Sequence, residues 1–265
     1  MKIPCLVKSF ALPVLLVLLP ASLLSAIPPF SLSAGGGILM GGLFTGYTIN
    51  ANETNSSGEK IWMNLTQEMQ QFDIGAWLFF DATYAVFSVD IQEGFNSYRE
   101  GGIISQNSIR AEPEPVEGSG RETTLGLTLM AKYPFRIRES LFIYPLAGIS
   151  YRIALVEKRT PKGSGEYNRA DGKTEFNPNG DYRLSMWNSW MVNIGTGLDF
   201  YFINPLYLRT ELVYSFRLMT AYEDAAVEWL VDTYGISKPK LFADPGMRGL
   251  THGPEIRLAL GNRLK

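Results

Sequence analysis

The sequence predicts an all-β fold, a transmembrane antiparallel up-and-down β-barrel of eight strands, and three observations predict it. One is a long stretch of period-two hydropathy, Met186 to Met219, which turns back on itself at Asn204-Pro205. Another is the strict alternation of long polar connections with short turns along the chain. The third is an export signal at the start of a chain with no later apolar run long enough for a spanning helix.

In the hairpin, Trp190, Val192, Ile194, Thr196, Leu198, Phe200 and Phe202 share one parity. Asn193, Gly195, Gly197, Asp199 and Tyr201 share the other. Proline cannot donate to a ladder, and Asn-Pro favours a turn, so the direction reverses there. The second arm sets Leu206, Leu208, Thr210, Leu212, Tyr214 and Phe216 against Arg209, Glu211, Ser215 and Arg217. Period two over both arms reads as an antiparallel pair with one apolar and one polar face. At about 3.3 Å per residue and a tilt near 40°, the stretch from Trp190 to Phe200 covers roughly 25 Å along a barrel axis. That matches the apolar band of a membrane barrel, with an aromatic at each edge.

The chain has 265 residues and begins with Lys2, Lys8 and an apolar run from Phe10 to Leu24 broken by Pro13 and Pro20. Ser25-Ala26 offers a small-residue cleavage site, so residues 1–26 are expected to be a signal peptide and 27–265 one barrel domain. The single cysteine, Cys5, precedes the apolar run and is lost on cleavage. Disulfides and thiolate metal sites are thereby excluded from the mature chain. A formal charge of −2 is mildly acidic and gives no reason to expect a nucleic-acid partner.

Taken in order, the expected strands are Phe30–Tyr47, Gln70–Phe80, a third from Ala85 to Gln92, Glu122–Tyr133, and a fifth around Ile143–Ile153. The two hairpin arms follow, and Pro254–Leu264 is last. Residues 48–69, 95–121, 157–182 and 220–252 read as long polar loops. Turns near 81–83, 134–140 and 203–206 read as short connections. An even number of strands with long loops at one end suits a bacterial barrel with both termini on the periplasmic side. Glycines on the inward parity of the first strand, such as Gly35 and Gly37, are expected to relieve crowding in a narrow barrel.

With the apolar parity outward, the inward set holds the acids Asp73, Asp81, Asp90, Asp199, Glu211 and Glu255. Its bases are Lys132, Arg152, Arg209, Arg217, Arg257 and Arg263. A lumen of eight strands is just wide enough for side chains to fill, so these charges are expected to pair as a structural network. Phe44, Phe72, Tyr151, Trp190 and Tyr214 are expected at the loop-side membrane interface, and Phe80, Tyr133, Phe200 and Phe202 at the turn side. A soluble lipocalin-type barrel would carry its apolar face inside, whereas here glycine and charge share the face opposite the apolar one.

His252, the one histidine, stands beside Gly253-Pro254 and reads as a loop residue. Lipid A deacylases use a His-x-Ser arrangement, but position 254 is proline, and no acidic pair accompanies His252 as in omptin proteases. The chain is therefore not expected to be an enzyme, and no cofactor or metal is implied. In the fourth loop, Asp224 to Tyr234 has helical spacing, and Trp229, Leu230 and Phe242 form a possible rim gate.

These features resemble the small eight-stranded outer-membrane barrels of the OmpA/OmpX/OmpW-like group. The opening FSLSAGGGILMGGLF and final GPEIRLALGNRL look most like spirochaete barrels. The chain ends Asn262-Arg263-Leu264-Lys265, where the assembly signal of such barrels usually ends in an aromatic. The resemblance implies outer-membrane lipid and the barrel assembly machinery as partners. It implies two roles: a passive narrow channel or carrier for small solutes, hydrophobic ones included, or a structural or host-interacting surface protein working through its loops.

Overall fold

The computed structural model describes residues 30–54, 58–106, 109–111, 116–162, 188–220 and 247–264. Signal residues 1–26 and the rim-gate residues Trp229, Leu230 and Phe242 lie outside these. The elements are β1 (Ser33–Thr54), β2 (Lys60–Asp81), β3 (Ala85–Gln106), β4 (Ile109–Ala111), β5 (Val116–Lys132) and β6 (Phe135–Arg138). They continue with β7 (Leu141–Lys162), β8 (Ser189–Ile203), β9 (Leu206–Thr220) and β10 (Met247–Arg263). Each barrel strand pairs antiparallel with its neighbours, in the ring β1–β2–β3–β5–β7–β8–β9–β10. The ring closes through β1 and β10, from Ser33 opposite Arg263 to Ile49 opposite Met247. β4 and β6 are short additions on β3 and β7 and do not enter the ring. The fold is an all-β, closed, eight-stranded antiparallel barrel.

The strands are longer than the sequence reading: two expected loops, 48–69 and 95–121, are largely strand, and the start of a third, 157–162, continues β7. The β1–β2 ladder runs to Thr54 opposite Lys60, β2–β3 to Ile61 opposite Gln106, and β5–β7 to Glu117 opposite Lys162. A ladder is held by backbone hydrogen bonds and needs an apolar face only where one side meets lipid or core. Beyond the membrane no face meets lipid, so the outward hydropathy signal stops while the pairing continues. β1, β2, β3 and β7 have 22 residues each. At barrel tilt that is roughly 55 Å, about twice the apolar band. His252 is likewise a strand residue, in β10 opposite Phe44. It faces outward and hydrogen-bonds the Tyr214 hydroxyl through Nδ1.

Outside, the belt is apolar on every side, with Ile38, Leu78, Ile91, Leu129, Ile149, Leu212 and Ile256 exposed. In a soluble protein such a surface would associate, so its natural solvent is lipid. Phe44, Phe72, Phe80, Trp190, Phe200 and Phe202 stand exposed on the same face. Tyr133, Tyr151 and Tyr214 lean on Phe135, Trp190 and Phe216 at ring separations of 5.1, 4.8 and 5.1 Å. Phe87 and Phe95 belong with them and were not singled out in the sequence.

Inside, large side chains face glycines across the ladder. Tyr98 opposes Gly118, Tyr144 opposes Gly197, and Tyr207 opposes Gly261. A Cβ on Gly197 would lie 2.2 Å from the Tyr144 ring, and one on Gly261 2.2 Å from the Tyr207 ring. Each ring lies over its partner's bare Cα, which is how a narrow lumen accommodates tyrosine.

Leu78, 68% exposed on the belt, tests the lipid-facing assignment. Leu78→Arg is expected to destabilise the barrel by about 1–3 kcal/mol, since its level lies between the bilayer centre and the Phe80 girdle. Urea unfolding in lipid vesicles measures it, and a neutral result would contradict the assignment.

Candidate functional site: the lumen ion network

Alternation places every second side chain of the ring in the lumen, and there the chain concentrates its ionic groups. Asp73, Asp81, Asp90, Lys132, Arg152, Asp199, Arg209, Glu211, Glu255 and Arg257 are all buried. Arg217 and Arg263 are only partly buried. Ions withdrawn from water cost several kcal/mol each unless neighbours compensate them, so their partners matter.

The turn-side cluster centres on Arg209 of β9, which has no exposed surface. Its Nε and Nη2 donate to the two carboxylate oxygens of Asp199 (β8), both at 2.8 Å. The same Nη2 and the Lys132 ammonium of β5 both hydrogen-bond Asp81 Oδ2 of β2. Lys132 Nζ lies 3.8 Å from Asp199 Oδ2. The Tyr144 hydroxyl of β7 donates to Asp199 Oδ1 at 3.0 Å. The guanidinium carbon of Arg209 is 4.3 Å from the Phe79 ring centre and 5.4 Å from that of Tyr207. A planar, always-charged fork suits both the bidentate carboxylate and the stacked rings, and lysine would satisfy neither as well.

Arg257 of β10 links this cluster to a second one at mid-lumen. Its Nη1 faces Glu211 Oε2 at 3.9 Å, and its Nε donates to Glu255 Oε1. Glu255 Oε2 also accepts from Arg152 Nη2 at 3.1 Å and from Gln92 Nε2 at 3.2 Å. Arg152 Nη1 lies 3.8 Å from Asp73. Gln92 holds Asp90 at 2.8 Å, and Gln71 holds Asp73 at 2.7 Å. The two clusters together join every barrel strand except β1, which is tied by Ser33 to the Tyr207 hydroxyl at 2.9 Å. Between the charged groups runs an uncharged chain, with Ser215 donating to Asn193 and Asn193 to Ser150.

Two features depart from the sequence reading. The lumen is not lined by charge and glycine alone. Leu39, Trp77, Phe79, Val86, Tyr207 and Ala259 form an apolar cluster inside, and Met130, Tyr144, Leu146 and Val213 a second. Nor is the buried set the expected one, because Glu122 joins the acids while Arg217 and Arg263 stay partly exposed. Among the described residues seven buried acids face four buried bases. Also among the described residues, no group of acidic, histidine or cysteine side chains converges as a metal site.

A closed sheet with a lipid-facing apolar belt and an ionic lumen defines an integral outer-membrane β-barrel. No family model and no curated protein matches the chain. Among solved structures it is similar to the outer membrane protein OprG from Pseudomonas aeruginosa, at 8% identity and TM-score 0.37, over 89% of this chain and 96% of that one. It is also similar to the outer membrane protease OmpT from Escherichia coli, at 8% identity and TM-score 0.33, over 91% and 99%. The translocator domain of the autotransporter NalP from Neisseria meningitidis aligns at 11% identity and TM-score 0.23, over 97% and 98%. The expectation that the chain is not an enzyme is corrected here, because a protease is among the barrels it resembles. At this distance the likeness assigns the chain no activity.

Removing Arg209 takes the bidentate partner from Asp199 and leaves two buried carboxylates to Lys132 alone, so Arg209→Met is expected to cost about 3–5 kcal/mol. Adding Asp199→Asn should recover part of that loss. Urea midpoints of the two variants decide it, since a purely apolar role for Arg209 would give no recovery. Gly197→Val should also destabilise, by displacing the Tyr144 ring from Asp199; a variant as stable as the parent would contradict the ring niche.

Proposed function

We propose that this protein works at the cell surface through the hairpins it raises above the outer membrane, with both termini and the short turns on the periplasmic side. The lumen then serves as a structural plug. The observation carrying this reading is the Arg209 clamp. It bridges Asp199 and Asp81 from different sides of the lumen while Phe79 and Tyr207 pack against it. A solute passing the turn-side end would have to part this bridge, and breaking a buried ion pair is costly. The hairpins supply the complementary support. Ladders such as β1–β2 continue to Thr54 opposite Lys60, well beyond the apolar belt. They present rigid polar edges suited to binding a host or neighbouring surface.

A second reading, a narrow conduit or carrier for small solutes in the OmpW manner, draws support from the polar ladder. That ladder runs unbroken from Asp81 to Asp73 through Arg209, Glu211, Arg257, Glu255 and Arg152.

Planar bilayers separate the two. The parent protein is expected to show no single-channel steps, while Arg209→Ala combined with Phe79→Ala should conduct. Regular steps from the parent would overturn the plug and favour the conduit. Shortening the β1–β2 hairpin above Thr48 should abolish binding to host-cell surfaces while leaving the β-sheet circular dichroism unchanged. Undiminished binding would sink the surface role of that hairpin.

A further inference from the structure

β9 carries two arginines on its lumen face, and they meet different partners on β8. Arg209 stands opposite Asp199 and takes its carboxylate through Nε and Nη2. Further along β9, toward the loops, Arg217 stands opposite Met191. Among the described residues Arg217 holds no carboxylate, whereas Arg152, Arg209 and Arg257 each hold at least one. Its Nε is enclosed and has no hydrogen-bond partner, although the residue as a whole is partly exposed. An arginine nitrogen can only donate, so this atom lacks an acceptor.

A second donor beside it is in the same condition. Ser189 of β8 is 1% exposed, and its Oγ has no partner. It occupies the next lumen-facing position beyond Met191, diagonally across from Arg217, a spacing that long side chains bridge. The register shifts between Ser189 and Met191, so the β8–β9 ladder is irregular at this point. Such bulges re-aim side chains and recur beside functional sites.

The surroundings leave Arg217 as the cation of this niche. Arg152 stands opposite Ser189 on β7, but it is engaged by Asp73 and Glu255. Of the buried acids none stands on β7, and those of β8 and β9, Asp199 and Glu211, belong to the turn-side cluster. Asn188 Oδ1 accepts from the Ala154 amide at 3.0 Å, which fixes the end of β8 against β7. Met191 is fully buried and gives the niche an apolar floor.

We infer that this niche binds the carboxylate of a small organic acid arriving from the loop side. Arg217 takes it as Arg209 takes Asp199, Ser189 donates a further hydrogen bond, and Met191 meets the hydrocarbon part of the ligand. The edge of a guanidinium matches both oxygens of a carboxylate in one plane, and both partners are charged, so the pair is strong and specific. A short chain suits the narrow lumen of eight strands. The niche lies on the loop side of the Arg209 clamp, so it neither needs the barrel to conduct nor depends on what the hairpins bind.

Titration of the isotope-labelled full barrel in detergent micelles tests it, with sodium chloride exchanged for sodium butyrate at constant ionic strength. The amide resonances of Ser189, Met191 and Arg217 should shift saturably, while that of Asp81 stays in place. Butanol carries the same chain without the charge and should shift none of them. Arg217→Gln should weaken binding about 10- to 100-fold, the worth of a charged hydrogen bond. Met191→Asp places a carboxylate opposite Arg217 and should abolish butyrate binding with the β-sheet circular dichroism unchanged; it serves if Arg217→Gln fails to fold. A parent without saturable shifts, an equal response to butanol, or a folded variant that binds as the parent does would overturn the site. Saturable shifts with inorganic phosphate but not with butyrate would overturn the carboxylate assignment.

Discussion

Charge inside a narrow barrel has nowhere to go but to another charge, and the pairing of Arg209 with Asp199 and Asp81 shows how far that condition reaches. The three residues come from β9, β8 and β2, so satisfying one guanidinium fixes the relative position of strands on different sides of the lumen. A one-residue slip of β8 would send Asp199 outward into lipid and bring Phe200 or Leu198 inside. The ion network therefore does for register what a packed apolar core does in a soluble barrel. It also sets where glycine must stand, because Tyr144 can donate to Asp199 only if its ring lies over Gly197.

The outer face follows from the same alternation with the opposite sign. Where one side chain enters the lumen its neighbours point outward, so within the belt a charged or aromatic lumen residue can sit between two apolar ones. Asp73 stands between Phe72 and Ile74, and Trp77 between Ala76 and Leu78. The belt ends where the aromatics begin, but the ladders continue, because backbone pairing is indifferent to what lies outside it. This separation of the lipid-facing pattern from the hydrogen-bonded ladder lets the hairpins stand free of the membrane.

The same separation explains what was legible in the sequence. The hairpin around Asn204-Pro205 could be read residue by residue, since one of its faces is nearly all apolar and the other carries Asp199, Arg209 and Glu211. The barrel and its strand order followed from that pattern and from the turns. The upper parts of β1, β2, β3, β5 and β7 were hidden, because a strand whose outer face meets water rather than lipid loses the apolar period. The apolar lumen residues were hidden for another reason. Phe79 sits in Leu78-Phe79-Phe80 and Tyr207 in Leu206-Tyr207-Leu208, where unbroken apolar runs mask parity. The signal that would have found Tyr144 and Tyr207 is the glycine opposite each, but that requires the register. Glu122, at the edge of the apolar pattern between Arg121 and Thr123, carries no parity signal that would place it in the lumen.

The difference between the two clusters bears on what the lumen is for. A plug needs its charges matched, since every unmatched ion weakens it. The turn-side group meets this condition, and Arg209 there is fully enclosed by ring faces as well as carboxylates. At mid-lumen the walls stay polar: Gln71 and Arg152 share Asp73, and Gln92 joins Asp90 to Glu255, on which Arg152 and Arg257 also converge. An amide donor satisfies a carboxylate's hydrogen bond without cancelling its charge, so that task falls on the two arginines, and Arg152 in meeting it ties β7 to both β2 and β10.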